Sequence, residues 1–170
     1  FTALILGEIE NVGDILSEID LSYADLRGIP YEGGIGDGTA ILVENADLQQ
    51  SVFWNAQINF RFVACDLAGA DFSYSFVALS DFSSEEGKEP NSLKGALFHF
   101  AQLNVVDFGD SDLTNASFKN AVLFETNFEE ANVTGADFDG AAIWEAEEGE
   151  TDADGWKYLG SLLKAKGFAI

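Results

Sequence analysis

Residues 91–145 read NSLKG ALFHF AQLNV VDFGD SDLTN ASFKN AVLFE TNFEE ANVTG ADFDG AAIWE, eleven consecutive blocks of five with a bulky apolar residue at each centre. The centres are Leu93, Phe98, Leu103, Phe108, Leu113, Phe118, Leu123, Phe128, Val133, Phe138 and Ile143. Two positions earlier the residue is small in most blocks: Ala96, Ala101, Ser111, Ala116, Ala121, Ala131, Ala136 and Ala141, with Asn91, Val106 and Thr126 as exceptions. The residue between is often Asp or Asn, as in Ser111-Asp112-Leu113 and Thr126-Asn127-Phe128. Neither the helical period of 3.6 nor the strand period of 2 generates a five-residue rhythm. An unbroken short period marks a repeat architecture.

On these residues the chain resembles the pentapeptide repeat family, whose pattern is Ala, Asp or Asn, Leu or Phe, then two freer residues. The resemblance covers 91–145 cleanly and 41–84 with defects. It implies an all-β fold, a right-handed quadrilateral parallel β-helix in which four blocks make one square coil. The centre and the small residue before it then point inward. From Leu93 to Ile143 the centres alternate aliphatic and Phe. With four blocks per coil, Phe98, Phe118 and Phe138 stack on one wall and Phe108 and Phe128 on the opposite one.

Upstream, Val43, Leu48, Phe53 and Ile58 are centres, followed by Leu67, Phe72, Val77 and Phe82. Nine residues separate Ile58 from Leu67, so Phe62 is the intervening centre, and Phe60 occupies the inward site meant for a small residue. A bulge or kink is expected there. Earlier centres are Leu21, Leu26 and Tyr31. Glycine-rich 33–38 and Glu85-Glu86-Gly87-Lys88-Glu89-Pro90 read as loops. The expectation is one domain: 1–18 an N-terminal cap, 19–84 and 91–145 repeat coils, 146–170 an acidic linker and a short C-terminal α-helix. About six coils at roughly 4.8 Å each make a rod about 28 Å long.

Composition bounds the function. The 170 residues carry 30 acidic and 8 basic side chains, a formal charge of -22, which disfavours direct nucleic-acid binding. With 47% hydrophobic residues, 15 of them Phe in all, the chain is not of the disordered class. No apolar run reaches the ~20 residues of a transmembrane segment. Cys65 is the one cysteine, which excludes an internal disulfide. It precedes Leu67 by two and so is expected to be a buried, inert thiol. His99 follows Phe98 and is expected to face outward. These residues offer no catalytic set, cofactor site or metal site, so the chain is read as a non-enzyme. Glu150, Asp152, Asp154 and Gly155 mimic part of an EF-hand loop, but Ser161 stands where the closing Glu belongs.

Outward positions carry more information. Beside Leu123 and Ile143 stand Val122, Phe124, Ala142 and Trp144, with Phe124 and Trp144 one coil apart; Trp54 holds the same outward position in its own block. Exposed aromatics in register predict a protein-binding surface of Trp54, Val122, Phe124 and Trp144, joined by Trp156 and Leu159. An alternative is that the C-terminal helix covers this wall with Trp156 and Leu159. The next wall shows an acidic surface of Asp107, Asp110, Glu129 and Glu130. The tail also resembles the helix and strand of the quinolone-resistance pentapeptide proteins, which implies a homodimer through that helix; a lid over the last coil stays open beside it.

Two functions follow. One is a non-catalytic scaffold or accessory subunit binding protein partners in a larger assembly. Some members of the resembled family reside in the thylakoid lumen, and a processed start at Phe1 in a chain without Met suits that compartment, with a photosynthetic assembly as the partner; a cytoplasmic location is the alternative. The other function, implied by the tail, is a DNA mimic that binds a type II topoisomerase (gyrase) and modulates quinolone sensitivity. B-DNA carries about 16 charges over 28 Å, comparable to -22. The repeat block 91–145, however, holds only -7 of that charge.

Overall fold

A computed structural model describes residues 20–28, 40–84 and 86–144. Every strand pairing in it is parallel, and the chain returns above itself four blocks later. Four ladders make four walls. Wall 1 pairs Asp20, Asp47, Asp66, Ser92, Asp112 and Asn132; wall 2 pairs Asp25, Val52, Asp71, Leu97, Ser117 and Asp137. Wall 3 is a five-stranded sheet of β2 (Gln57–Ile58), β4 (Phe76–Ala78), β5 (Gln102–Asn104), β6 (Val122–Phe124) and β7 (Ala142–Trp144). Wall 4 joins β1 (Ile41–Glu44) to β3 (Phe60–Val63), then Arg61 to Asp81, Asp107 and Asn127. The result is an all-β parallel solenoid of about five turns, one per strand of wall 3. The expected sixth coil drew on Tyr31; that block, the 1–18 cap, the 33–38 loop and the C-terminal helix lie outside the described residues.

The five-residue period comes from the corners. The second residue after the centre takes a left-handed φ, from Tyr23 at 61° to Gly140 at 72°, except at Phe60 and Ser84, which belong to the two irregular corners. At walls 1 and 2, and after Phe108 and Phe128 on wall 4, the N–H after it returns to the centre's carbonyl, as in Ala96 to Leu93 (3.0 Å), Ala101 to Phe98 (3.2 Å) and Ser111 to Phe108 (3.1 Å). A four-residue turn with positive φ at its third residue is type II. The residue before the centre fastens the same corner. Oδ1 of Asp66, Asp71, Asp107 and Asp137 accepts the N–H two residues on, at 3.0, 2.9, 2.8 and 2.9 Å, and Asn127 and Asn132 do likewise. This Asx turn is why the repeat wants Asp or Asn there.

The core follows the predicted alternation. On wall 2 the rings of Phe72, Phe98, Phe118 and Phe138 stack at 5.0, 4.8 and 4.8 Å; on wall 4 those of Phe82, Phe108 and Phe128 stack at 5.0 and 5.3 Å. The two columns meet edge to face across the coil, Phe98 to Phe108 at 5.6 Å and Phe118 to Phe128 at 5.5 Å. Both arrangements are the ones a ring quadrupole favours. Slimmer Leu93, Leu113, Leu103 and Leu123 fill the remaining walls, fully buried.

Two irregularities are resolved. Between Ile58 and Phe62 a corner is shortened by one residue rather than bulged, so Gln57 pairs with Phe76 and Leu42 with Arg61, nineteen apart. Phe60 stays buried, its N–H donating to Ser80 Oγ at 3.0 Å and its ring lying 5.6 Å from Phe62. At the second irregularity, the 85–90 insertion, Asn91 replaces the usual small residue. Fully buried, it donates Nδ2 to the carbonyls of Phe62 (2.7 Å), Phe82 (3.0 Å) and Ser83 (3.1 Å) and accepts the Cys65 N–H at 2.8 Å. It closes the corner that the insertion opens.

Asn91→Ala strands these buried groups and is expected to cost about 2–3 kcal/mol, read as a lower urea midpoint with unchanged slope. The Asx carboxylates predict a pH response. Burial pushes the Asp112 carboxyl up, but hydrogen bonds from Thr114 and Lys94 outweigh it and hold it below the usual range; the Asp139 N–H and Lys119 do the same for Asp137. Their contribution is complete above the unfolded aspartate value, ~3.9, and is lost as pH falls through the lower folded values. Asp112→Asn, which keeps the turn as Asn132 does, is expected to flatten the acid limb of the stability profile; a limb of unchanged steepness refutes this.

Candidate functional site

The five strands of wall 3 contain no charged residue. Their outward positions are Gln57, Phe76, Gln102, Val122 and Ala142 before the centres, and Ala78, Asn104, Phe124 and Trp144 after them. The alternation that sends Leu103 and Leu123 inward sends these outward. Phe124 and Trp144 are paired across β6 and β7, as are Val122 and Ala142. Val122, Phe124 and Trp144 are 38%, 39% and 60% exposed, so the apolar character continues to the outer surface.

Trp54 is not part of that wall. It follows Phe53 on wall 2, and its ring lies 5.6 Å from Tyr74, which stacks on Phe100 at 5.1 Å. Tyr74 and Phe100, which the sequence reading passed over, occupy the left-handed corner position two residues after Phe72 and Phe98. The corner carries them beside wall 3. Their signal was available as an aromatic at the same block position in successive coils. The exposed apolar surface thus combines a sheet face, Val122, Phe124 and Trp144, with a corner ladder, Trp54, Tyr74 and Phe100. Trp156 and Leu159 lie outside the described residues.

The acidic candidates gather on wall 4. Asp107 and Glu129 stand on its face, and Asp110 and Glu130 at the corner that follows, with left-handed φ of 59° and 61°. Asp107 is engaged: its Oδ1 accepts from Gly109 N at 2.8 Å and Asn127 Nδ2 at 2.8 Å. The Asp110 N–H donates to the Glu129 carbonyl at 3.1 Å, which ties the two coils. Elsewhere cations answer the turn aspartates, Lys94 with Asp112 at 3.2 Å and Lys119 with Asp137 at 2.9 Å, in exposed pairs that contribute little stability.

The remaining chemistry-bearing residues are quiet. Cys65 is buried, its Sγ 3.3 Å from the Val43 carbonyl, and burial pushes the thiol up. His99 is half-buried, with Nε2 2.8 Å from Ser117 Oγ one coil on. Among the described residues no cluster of three or more His, Cys, Asp or Glu has metal-binding geometry, and no helix is long and apolar enough to cross a membrane.

Residues 101–140 match the family model for pentapeptide repeats, in eight copies, which supports the resemblance read from the sequence. No curated protein matches the chain. Solved structures it is similar to include a pentapeptide repeat protein from the Arabidopsis thaliana thylakoid lumen, 21% identical over 78% of this chain and 77% of that one, TM-score 0.46. Another is the pentapeptide repeat protein Rfr23 from the cyanobacterium Cyanothece 51142, 14% identical over 74% and 91%, TM-score 0.36. A third is full-length QnrB1, a plasmid-mediated fluoroquinolone resistance protein, 14% identical over 69% and 70%, TM-score 0.26.

A thiol placed as Cys65 is has no access to bulk reagent. Ellman's reagent is expected to label it only after unfolding in guanidinium; rapid labelling of the native protein contradicts the described burial.

Proposed function

We propose that this chain, which carries pentapeptide repeats, is a non-catalytic protein-binding scaffold or accessory subunit. The observation that carries this reading is the charge-free wall 3 with Val122, Phe124 and Trp144 exposed on it, in a chain of net charge -22. Exposed aromatics in register on a rigid sheet are pre-organised contact groups, and aromatic anchors dominate protein interfaces. The Trp54, Tyr74 and Phe100 ladder widens the surface.

The DNA-mimic alternative gains less support. A mimic of the duplex is served by acidic surface on every side facing the enzyme, whereas wall 3 is uncharged. Many aspartates also serve as turn caps, so their presence has a structural cause independent of any partner. In this reading Asp107 and Glu129 stand on the wall next to the binding face, with Asp110 and Glu130 at that wall's far corner.

Replacing Phe124 and Trp144 together with Arg is expected to shift the protein from a high-mass fraction of its native extract to the monomer position on size exclusion, with far-UV circular dichroism unchanged. A wild-type chain that elutes alone from that extract rejects the scaffold reading. Inhibition of gyrase supercoiling at micromolar protein would favour the DNA mimic instead.

A further inference from the structure

We infer that the partner presents a cationic amphipathic α-helix, laid along the rod axis on wall 3 with its basic edge over wall 4. This rests on the protein-binding reading and adds the partner's chemistry.

The first argument is metric. Successive strands of wall 3 repeat every ~4.8 Å along the axis. A helix parallel to that axis offers a side chain on one face every turn, ~5.4 Å. Over five rungs the two rows drift by roughly 2.4 Å, about half a rung. An extended strand repeats its same-side residues every ~6.7 Å and loses register after two rungs. Three strand residues span about 10 Å, matching the ~10–12 Å diameter of a helix. The five rungs accommodate roughly 13 helical residues.

The second argument is charge. Wall 3 is uncharged, but its two borders differ. Wall 4 carries Glu44, Asp81, Asp107 and Glu129 on its face, and Glu125 occupies the corner between the two walls; Asp110 and Glu130 lie at the far corner of wall 4, toward wall 1. Among the described residues the wall 4 cation is Arg61, whose Nε lies 3.4 Å from Asp81. The opposite border, on wall 2, mixes Asp25, Asp71, Asp137 and Asp139 with His99 and with two cations, Arg27 and Lys119, that pair with Asp25 and Asp137. A helix with apolar residues at i, i+3, i+4 and i+7 and Lys or Arg along one edge matches this asymmetry; an acidic helix meets like charge.

The test uses the full chain and three fluorescein-labelled 18-residue peptides: an amphipathic Leu/Lys helix, its Leu/Glu counterpart, and a scrambled Leu/Lys sequence of equal charge. Anisotropy is expected to show the amphipathic Leu/Lys peptide binding at least about tenfold more tightly than either control, weakening with salt. Phe124→Ala with Trp144→Ala is expected to reduce that affinity about tenfold. Glu125→Lys, at the half-buried corner between walls 3 and 4, is expected to reduce it about fivefold and flatten the salt dependence. Equal binding of the scrambled peptide means bulk charge attraction and overturns the inference, as does equal binding of the Leu/Glu peptide. Absence of binding by all three also overturns it. If the Arg variant of wall 3 nevertheless loses its native assembly, the protein-binding reading stands and only the helical partner falls.

Discussion

A main chain that must turn a corner every five residues and return directly above itself has few conformations available. This one places the second residue after every regular centre, all but Ile58 and Phe82 among the described residues, in the left-handed region, and the rest of the molecule depends on that choice. L-residues other than Asn and Asp resist it, and achiral Gly does not. Gly, Asn or Asp takes the position at Gly28, Asn45, Asn55, Gly69, Gly95, Asp110, Asn115, Asn120, Gly135 and Gly140. Nine other residues adopt it against their own preference, among them Tyr23, Leu79, Phe100, Val105 and Glu125. These five are held there by the ladder to the next coil, in which the N–H groups of Tyr23, Leu79, Phe100, Val105 and Glu125 donate to the carbonyls of Gln49, Asn104, Lys119, Phe124 and Trp144; the Tyr23 corner has in addition an Asx cap from Asp20. Stability is thus collective, with no isolated corner able to relax alone.

The interior reads from the sequence because its rule is local. A period of five, a small residue two before each centre and alternating Leu and Phe lead directly to two Phe columns meeting edge to face. Asn91 stood out in the sequence as an exception to the small-residue rule. Its four hydrogen bonds join atoms from blocks as distant as Phe62, which no local pattern displays. The corner between Ile58 and Phe62 was legible as a defect, but its form, one residue missing and Phe60 kept inside, depends on Ser80 one coil on.

The exterior is less legible for a different reason. Counting outward positions block by block treats the four walls as separate faces, whereas a corner residue belongs to two. Trp54 therefore appeared equivalent to Phe124 and Trp144, although it sits on another wall, and Tyr74 and Phe100 were missed. The acidic residues carried the opposite error: read as surface charge, many turn out to be the means by which the chain bends. Charge in this protein is partly a by-product of geometry, which is why its distribution follows the ladders and spares wall 3.

The spacing of the rungs has a kinetic consequence. Every ladder contact joins residues 19 to 27 positions apart, whichever coil it belongs to. Adding a coil closes one loop of about 20 residues and requires no contact from the far end of the chain, so assembly resembles a zipper that any well-formed pair of coils can start. Lengthening a loop from 20 to 26 residues, as the exposed insertion before Asn91 does, raises its closure entropy by only about 0.2 kcal/mol. The corner between walls 4 and 1, already stapled from within, is therefore where this solenoid can take up extra sequence with least effect on its order of assembly.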